Sequence, residues 1–213
     1  DNTLTVGTNL PEYEAGSTRY TTLVYNPDTY KTLMVFIDAN DGDKIKSRLA
    51  TVSGTGTSAE PSYGAIQNIS TNAASWNCCV YEPVANKYVL FYNLNSNGDV
   101  YYSVGTESGT DMSWSTPASA GISGNNGQPW GIDFDTTASK GAIAWGKSTT
   151  TYYKVWSLSG DTLTFGSAGD IDGGHNSACR LSYDSTSDRW MACQKESAGL
   201  NVKLGTLSGT TIT

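Results

Sequence analysis

"VYNPDTYKTLMVF", from Val24 to Phe36, sets an apolar pair, a Pro-bearing turn, a Lys and an apolar run one after another, which is the pattern of a β-hairpin. Relatives of it recur as "VYEPVANKYVLFY" from Val80, "DFDTTASKGAIAW" from Asp133 and "SYDSTSDRWMACQ" from Ser182. Aligned on Tyr25, Tyr81, Phe134 and Tyr183, they repeat with a period of about 50 residues, the signature of propeller blades. Each aromatic is followed by an acidic or amide residue (Asn26, Glu82, Asp135, Asp184), then Pro or a small hydroxyl residue, and a base five positions further on (Lys31, Lys87, Lys140, Arg189). These are turn residues. Pro27 and Pro83 preset φ, and the Asx or Ser side chains bond their own backbone.

The second strand of each hairpin, as in Leu33 to Ile37, Tyr88 to Tyr92 and Ala142 to Trp145, is nearly continuous in apolar residues. Such a strand is covered on both faces, as happens when blades pack face to face. A third strand follows ("KIKSRLATV", "DVYYSVGT", "YYKVWSL", "NVKLGTL") and ends near a Ser-Gly pair at Gly54, Gly109, Gly160 and Gly209. That Gly predicts a tight turn into a short outer strand such as "TLTFG" from Thr162, so each repeat is a four-stranded antiparallel unit.

Composition agrees. The 213 residues carry only 15% charged side chains, and no window shows sustained apolar recurrence at helical spacing, so almost no helix is expected. The net charge of −7 and the absence of a Lys/Arg cluster argue against nucleic acid and against an anionic membrane surface. There is neither a long apolar run nor a signal-like start, so no membrane insertion is expected. Cys78, Cys79, Cys179 and Cys193 fit no zinc spacing. Cys179 and Cys193 are equidistant from Thr186, which places them to face each other across two strands, either as a disulfide or as buried thiols.

The termini complete the fold class. "NTLTVG" at Asn2 resembles "DTLTFG" at Asp161, an outer strand, whereas the last repeat stops at "SGTTIT", where its own outer strand begins. The reading is an all-β, four-bladed β-propeller, one domain over residues 1–213, closed by the N-terminal strand. An open array cut from a longer chain is the rival, because "NTLT" and "TTIT" partly duplicate each other.

The combination of "VYNPDTYK", "VYEPVANK", "VGTESGT" and "LGTLSGT" resembles propeller-like repeats in tail-fibre and adhesin-type proteins of bacteriophages and in related secreted bacterial proteins. The resemblance covers nearly the whole chain and rests on turn and strand residues. It implies attachment to a surface through glycans, in an extracellular or virion setting, and carries over no catalytic residue.

Propellers bind ligands where the loops entering the innermost strands converge. Here those loops are "EAGSTRYT" from Glu14, "STNAASWN" from Ser70, "SGNNGQPW" from Ser123 and "DGGHNSAC" from Asp172. They gather Arg19, Tyr20, Trp76, Asn77, Asn126, Gln128, Trp130, His175 and Asn176: rings that stack on the apolar face of a sugar, with amides and a guanidinium for its hydroxyls. The competing reading has Trp76 and Trp130 plugging a narrow channel.

Enzymatic readings are weaker. Glycoside hydrolysis needs two carboxylates across a cleft, for which Asp133 with Asp172 or Glu14 is the candidate set. "SGNNGQPW" has Asp-box spacing, but it falls between blades, and four arginines offer no cluster for a sialic acid carboxylate. His175, the only histidine, lacks a nucleophile motif. "DANDGD" from Asp38 crowds three carboxylates without EF-hand spacing, so a solvated acidic turn is expected rather than a calcium site. Asn68 begins "NIS", a glycosylation acceptor if the source is eukaryotic and secreted. The expectation is a non-enzymatic module, with no cofactor or metal, whose partner is a cell-surface glycan or, in the architectural alternative, neighbouring protein chains.

Overall fold

In a computed structural model the described residues are 17–53, 60–123, 128–173, 179–196 and 199–213, without the side chains of Glu60, Trp130, Asp172, Lys195 and Glu196. Residues 2–7, expected to close the ring, lie outside them, as do the Gly54 turn, Asn126, His175, Asn176 and Glu14.

The chain is all-β, and its strands fall into the four repeats. Repeat 1 holds β1 (Thr18–Asn26), β2 (Lys31–Asp38), β3 (Lys44–Ser53) and β4 (Glu60–Tyr63); repeat 2 holds β5 (Gln67–Glu82), β6 (Lys87–Leu94), β7 (Val100–Ser108) and β8 (Asp111–Trp114). After β9 (Ala118–Ile122), repeat 3 holds β10 (Gln128–Asp135), β11 (Lys140–Lys147), β12 (Thr150–Ser159) and β13 (Thr162–Phe165). After β14 (Gly169–Gly173), repeat 4 holds β15 (Cys179–Asp184), β16 (Arg189–Glu196), β17 (Gly199–Gly205), β18 (Leu207–Ser208) and β19 (Thr211–Ile212). One short 3-10 turn, Ala39–Asp41, is the only helical element among the described residues, and no helix there is long and apolar enough to cross a membrane.

In repeats 1–3 the pairing is antiparallel and sequential, whereas the expected four-stranded unit is not formed in repeat 4, where β15, β16 and β17 make a three-stranded sheet and β18–β19 a separate two-stranded one. The hairpin turns have the expected chemistry. Asn26, Glu82, Asp135 and Asp184 pair across the strands with Lys31, Lys87, Lys140 and Arg189, enclosing four-residue loops. The acid or amide accepts from the loop's own N–H groups, at 2.9 Å for Asp28, 2.9 Å for Val84, 2.8 Å for Thr137 and 2.9 Å for Thr186. Each loop ends in a left-handed residue: Tyr30, Asn86, Ser139 and Asp188. The Ser-Gly turns at Gly109, Gly160 and Gly209 have positive φ at the Gly alone, the signature of a type II′ hairpin.

Two further features differ from the sequence reading. The outer strand is split: β8 covers the end of β7 and β9 its beginning, and β13 and β14 divide β12 in the same way. In repeat 1 the first half of β5 takes the β9 role on β3 before continuing as the first strand of repeat 2, which fuses repeats 1 and 2 into one nine-stranded sheet. The second difference concerns the cysteines. A four-residue loop sets Cys179 opposite Gln194 and Arg180 opposite Cys193, one residue off the register that would pair the thiols. Side chains alternate between faces, so the two cysteines point to opposite sides of the sheet, and all four cysteines are free.

The sheets pack face to face. The first strands lie side by side in chain order, β5 against β1 and β10, and β10 against β15. Leu33, Val35, Ile37, Ile45 and Leu49 meet Tyr81, Tyr88, Leu90 and Tyr92 at the first joint. Val89, Phe91 and Tyr102 meet Phe134, Ile143 and Trp156 at the second, and Ala142 and Ala144 meet Leu181, Trp190 and Ala192 at the third. This is why β6 and β11 read as apolar runs: both faces are buried. β1 and β15, the ends of the row, form no comparable contact among the described residues.

Candidate functional site

The residues expected in converging loops sit instead in strands. Ser70–Asn77 lies wholly within β5, Arg19 and Tyr20 within β1, and Gln128 within β10. The connection between repeats stays extended because it keeps bonding to the third strand of the repeat it leaves. The change of partner is absorbed by bulges. The register slips between Arg19 and Thr22, between Ser75 and Asn77, and between Pro129 and Gly131, so an aromatic residue (Tyr20, Trp76, Trp130) occupies each bulge.

Tyr20 and Trp76 adopt left-handed backbone, φ 50° and 49°, a conformation that costs a side-chain-bearing residue about 1–2 kcal/mol and re-aims it out of the pleat. Asn77 holds the arrangement. Its Oδ1 accepts from Thr22 Oγ1 at 2.7 Å and its Nδ2 donates to the Tyr20 carbonyl, so its amide is spent on one side chain and one backbone group of β1. The result is a ring pair with centroids 4.5 Å apart and planes tilted by 36°. Trp76 is half-buried, with part of its surface against the core of repeats 3 and 4.

Beside Trp76 opens a cleft of about 510 Å³, lined by Ser75, Asn93, Asn95, Asn97 and Gln128 among others, none of them charged. Asn93 is buried and accepts from Ser75 Oγ at 3.3 Å, while Asn97 is tied to Asp99. Asn95 and Ser96 stand exposed at the rim. A half-buried indole, a second ring against it and several amides around a neutral cleft suit polyhydroxylated ligands, whose C–H faces stack on rings and whose hydroxyls exchange hydrogen bonds with amides. Sequence reasoning missed Asn93, Asn95 and Asn97. The alternating amides of "NLNSNG" are the signal, concealed because that stretch reads as an ordinary hairpin turn.

Of the expected set, Trp76 and Gln128 line the cleft, Tyr20 stacks against Trp76, and Asn77 is bonded to β1 outside the lining. Arg19 is turned away, its guanidinium 3.5 Å from the Asp43 carboxylate. The Trp130 side chain is not described.

Of the enzymatic candidates, Glu14, His175 and the Asp172 side chain lie outside the described residues, and Asp133 is engaged in the fold. One Asp133 oxygen accepts from the Phe134 N–H at 2.8 Å, and the other from the Tyr183 N–H at 2.8 Å and Ser182 Oγ at 3.2 Å, which fastens β10 to β15. In the acidic turn, Asp38 and Asp41 share Lys46 at 2.7 and 2.9 Å, and Asp41 also takes Lys44 at 2.7 Å. Burial pushes the Cys179 thiol up to about 11, far from a nucleophilic thiolate. Comparison with protein-family models and with curated proteins finds no match to this chain.

Proposed function

We propose that the protein is a non-enzymatic attachment module, extracellular or virion-borne, whose four repeats are blades of a β-propeller and whose cleft beside Trp76 binds a neutral glycan. The observation that carries this is the Tyr20–Trp76 ring pair, held in strained bulges, whose indole lines an uncharged, amide-rich cleft. Backbone strain of this kind persists where a side chain has to be aimed, and the rings are only partly used for packing.

The test is a glycan array with the intact chain beside Trp76→Ala and Asn95→Ala. Binding by the parent is expected to vanish in Trp76→Ala, which removes the stacking ring, and to weaken in Asn95→Ala, which removes a hydrogen-bonding group worth about 0.5–1.5 kcal/mol. A folded parent that binds no glycan sinks the reading. In that case the architectural alternative gains, a module whose contacts are with neighbouring chains; it is favoured by the apolar side chains left uncovered on β1 and β17.

A further inference from the structure

The three joints between consecutive repeats are built alike and have a direction. On the apolar side, the residues two and four positions after the base on the second strand face the following repeat; Leu33 and Val35, Val89 and Phe91, and Ala142 and Ala144 are all buried there. On the polar side, the base itself reaches the Ser-Gly turn of the following repeat. Lys31 Nζ donates to the Gly109 carbonyl at 2.7 Å, Lys87 pairs with Asp161 beside Gly160, and Lys140 Nζ donates to the Gly209 carbonyl. In return, at the first two joints, the aromatic of the following repeat leans back. Tyr81 donates to Asp28 at 2.6 Å and Phe134 packs against Phe91 and Trp156 in the second joint, whereas the Tyr183 hydroxyl donates to Asp188 of its own turn at 2.9 Å.

Repeat 4 carries the leading half of this joint with no other repeat against it among the described residues. Arg189 stands where the three lysines stand, and among the described residues it bonds only the Asp188 carbonyl of its own turn. Met191 and Cys193 occupy the positions of Leu33 and Val35, paired across to Leu204 and Val202. On this outward face Leu204 is 69% exposed and Val202 50%. Repeat 1 carries the trailing half largely uncovered among the described residues: Tyr25, the counterpart of buried Tyr81 and Phe134, is 54% exposed and its neighbour Leu23 65%, while Phe36 at the far end of the same face is buried.

We infer that these are the two halves of a fourth joint made between chains, the β16–β17 face of one copy receiving the β1 face of a second copy. Contiguous apolar surface of this kind marks an interaction site, and the internal joints show what it fits. Because the two faces lie at opposite ends of the row of first strands, the contact is head-to-tail and leaves one half of each kind free to continue into a ring or filament. The inference stands apart from glycan binding.

Sedimentation velocity of the intact chain over a wide concentration range tests it, with Leu23→Glu and Leu204→Glu, both at exposed positions and checked for folding by circular dichroism. The parent is expected to self-associate and each variant to remain monomeric. An equimolar mixture of the two forms a complex of two chains and nothing larger, because one variant keeps an intact leading face and the other an intact trailing face. Arg189→Gln weakens association about tenfold, as loss of a charged interfacial donor does. Maleimide labelling reads the same face independently: Cys193, the one cysteine that is not buried, is reactive in the monomer and protected in the assembly. A parent that stays monomeric with reactive Cys193 overturns the inference. So does a monomeric parent with protected Cys193, which means the ring closes within one chain, and so does a mixture that fails to pair.

Discussion

Glu107 ties two repeats together through one side chain. Its Oε1 accepts from Asn26 at 2.8 Å, Thr29 at 2.9 Å and the Tyr88 hydroxyl at 2.7 Å, and its Oε2 from Lys31 at 3.1 Å. Burial by itself would raise the carboxyl's pKa, but the bonds from Tyr88, Lys31, Asn26 and Thr29 outweigh it and hold the group below its ordinary value of 4.5. A depressed folded pKa gives stability that is complete above that ordinary value and is lost as the pH falls through the folded one. The urea midpoint of the parent is therefore expected to drop below pH 4.5, and Glu107→Gln to flatten this part of the profile while costing about 2–4 kcal/mol at neutral pH, since Lys31 loses its charged acceptor. Equal acid slopes in both proteins would remove Glu107 from this role. Asn26 and Lys31 could be read from the sequence as turn residues, but their acceptor lies 81 residues from Asn26, where only stacking of the sheets brings it in. The site was legible to the same degree. Its aromatics and amides stand out in the sequence; the bulges that aim Tyr20 and Trp76 do not, because a bulge arises from a change of hydrogen-bond partner between repeats.

At the scale of the element, local chemistry decides most of what is seen. The acid-to-base spacing fixes a four-residue hairpin loop, and the Ser-Gly pairs fix type II′ turns. Gly160 is a clean test of the second point. Its φ is +60°, and a Cβ placed there would meet nothing within 4 Å, so any effect of Gly160→Ala comes from the backbone alone. A loss of about 1–2 kcal/mol is expected from thermal or urea unfolding, the penalty of forcing a Cβ into positive φ. A neutral substitution would mean the turn is not held in this form. The same turn geometry explains where the sequence reading failed. Counting residues from the middle of the fourth turn placed Cys179 and Cys193 face to face, yet the loop encloses an even number of residues and shifts the register by one, which inverts a face. The split of the outer strand into β8 and β9 was hidden for a related reason: both pieces are short, and neither has alternation long enough to be recognised.

For the whole molecule, stacked sheets contact only their neighbours, so stability is approximately a sum over joints and need not be uniform. The joints are unequal. Repeat 2 presents Val89 and Phe91 to repeat 3, whereas repeat 3 presents Ala142 and Ala144 to repeat 4. Each large aliphatic or aromatic side chain buried contributes about 1.5–3 kcal/mol, most of which alanine forgoes. Repeat 4 is bound more weakly than repeats 1 and 2 are to each other, and its far face adds nothing in the single chain, with Leu200, Val202 and Leu204 all exposed. Opening of β15–β17 as a unit, with the rest intact, should therefore dominate the native-state fluctuations. Hydrogen exchange measured on the monomeric Leu204→Glu variant is expected to show the backbone amides of Met191–Gln194 exchanging at least about tenfold faster than those of Val89–Tyr92, although both segments are second strands paired on both sides. Uniform protection of the two strands would mean that the alanine joint is as strong as the aromatic ones and that the chain unfolds as one unit. Faster exchange confined to repeat 4, slowed in the parent at high concentration, would connect the weakest joint to the face through which a second copy binds.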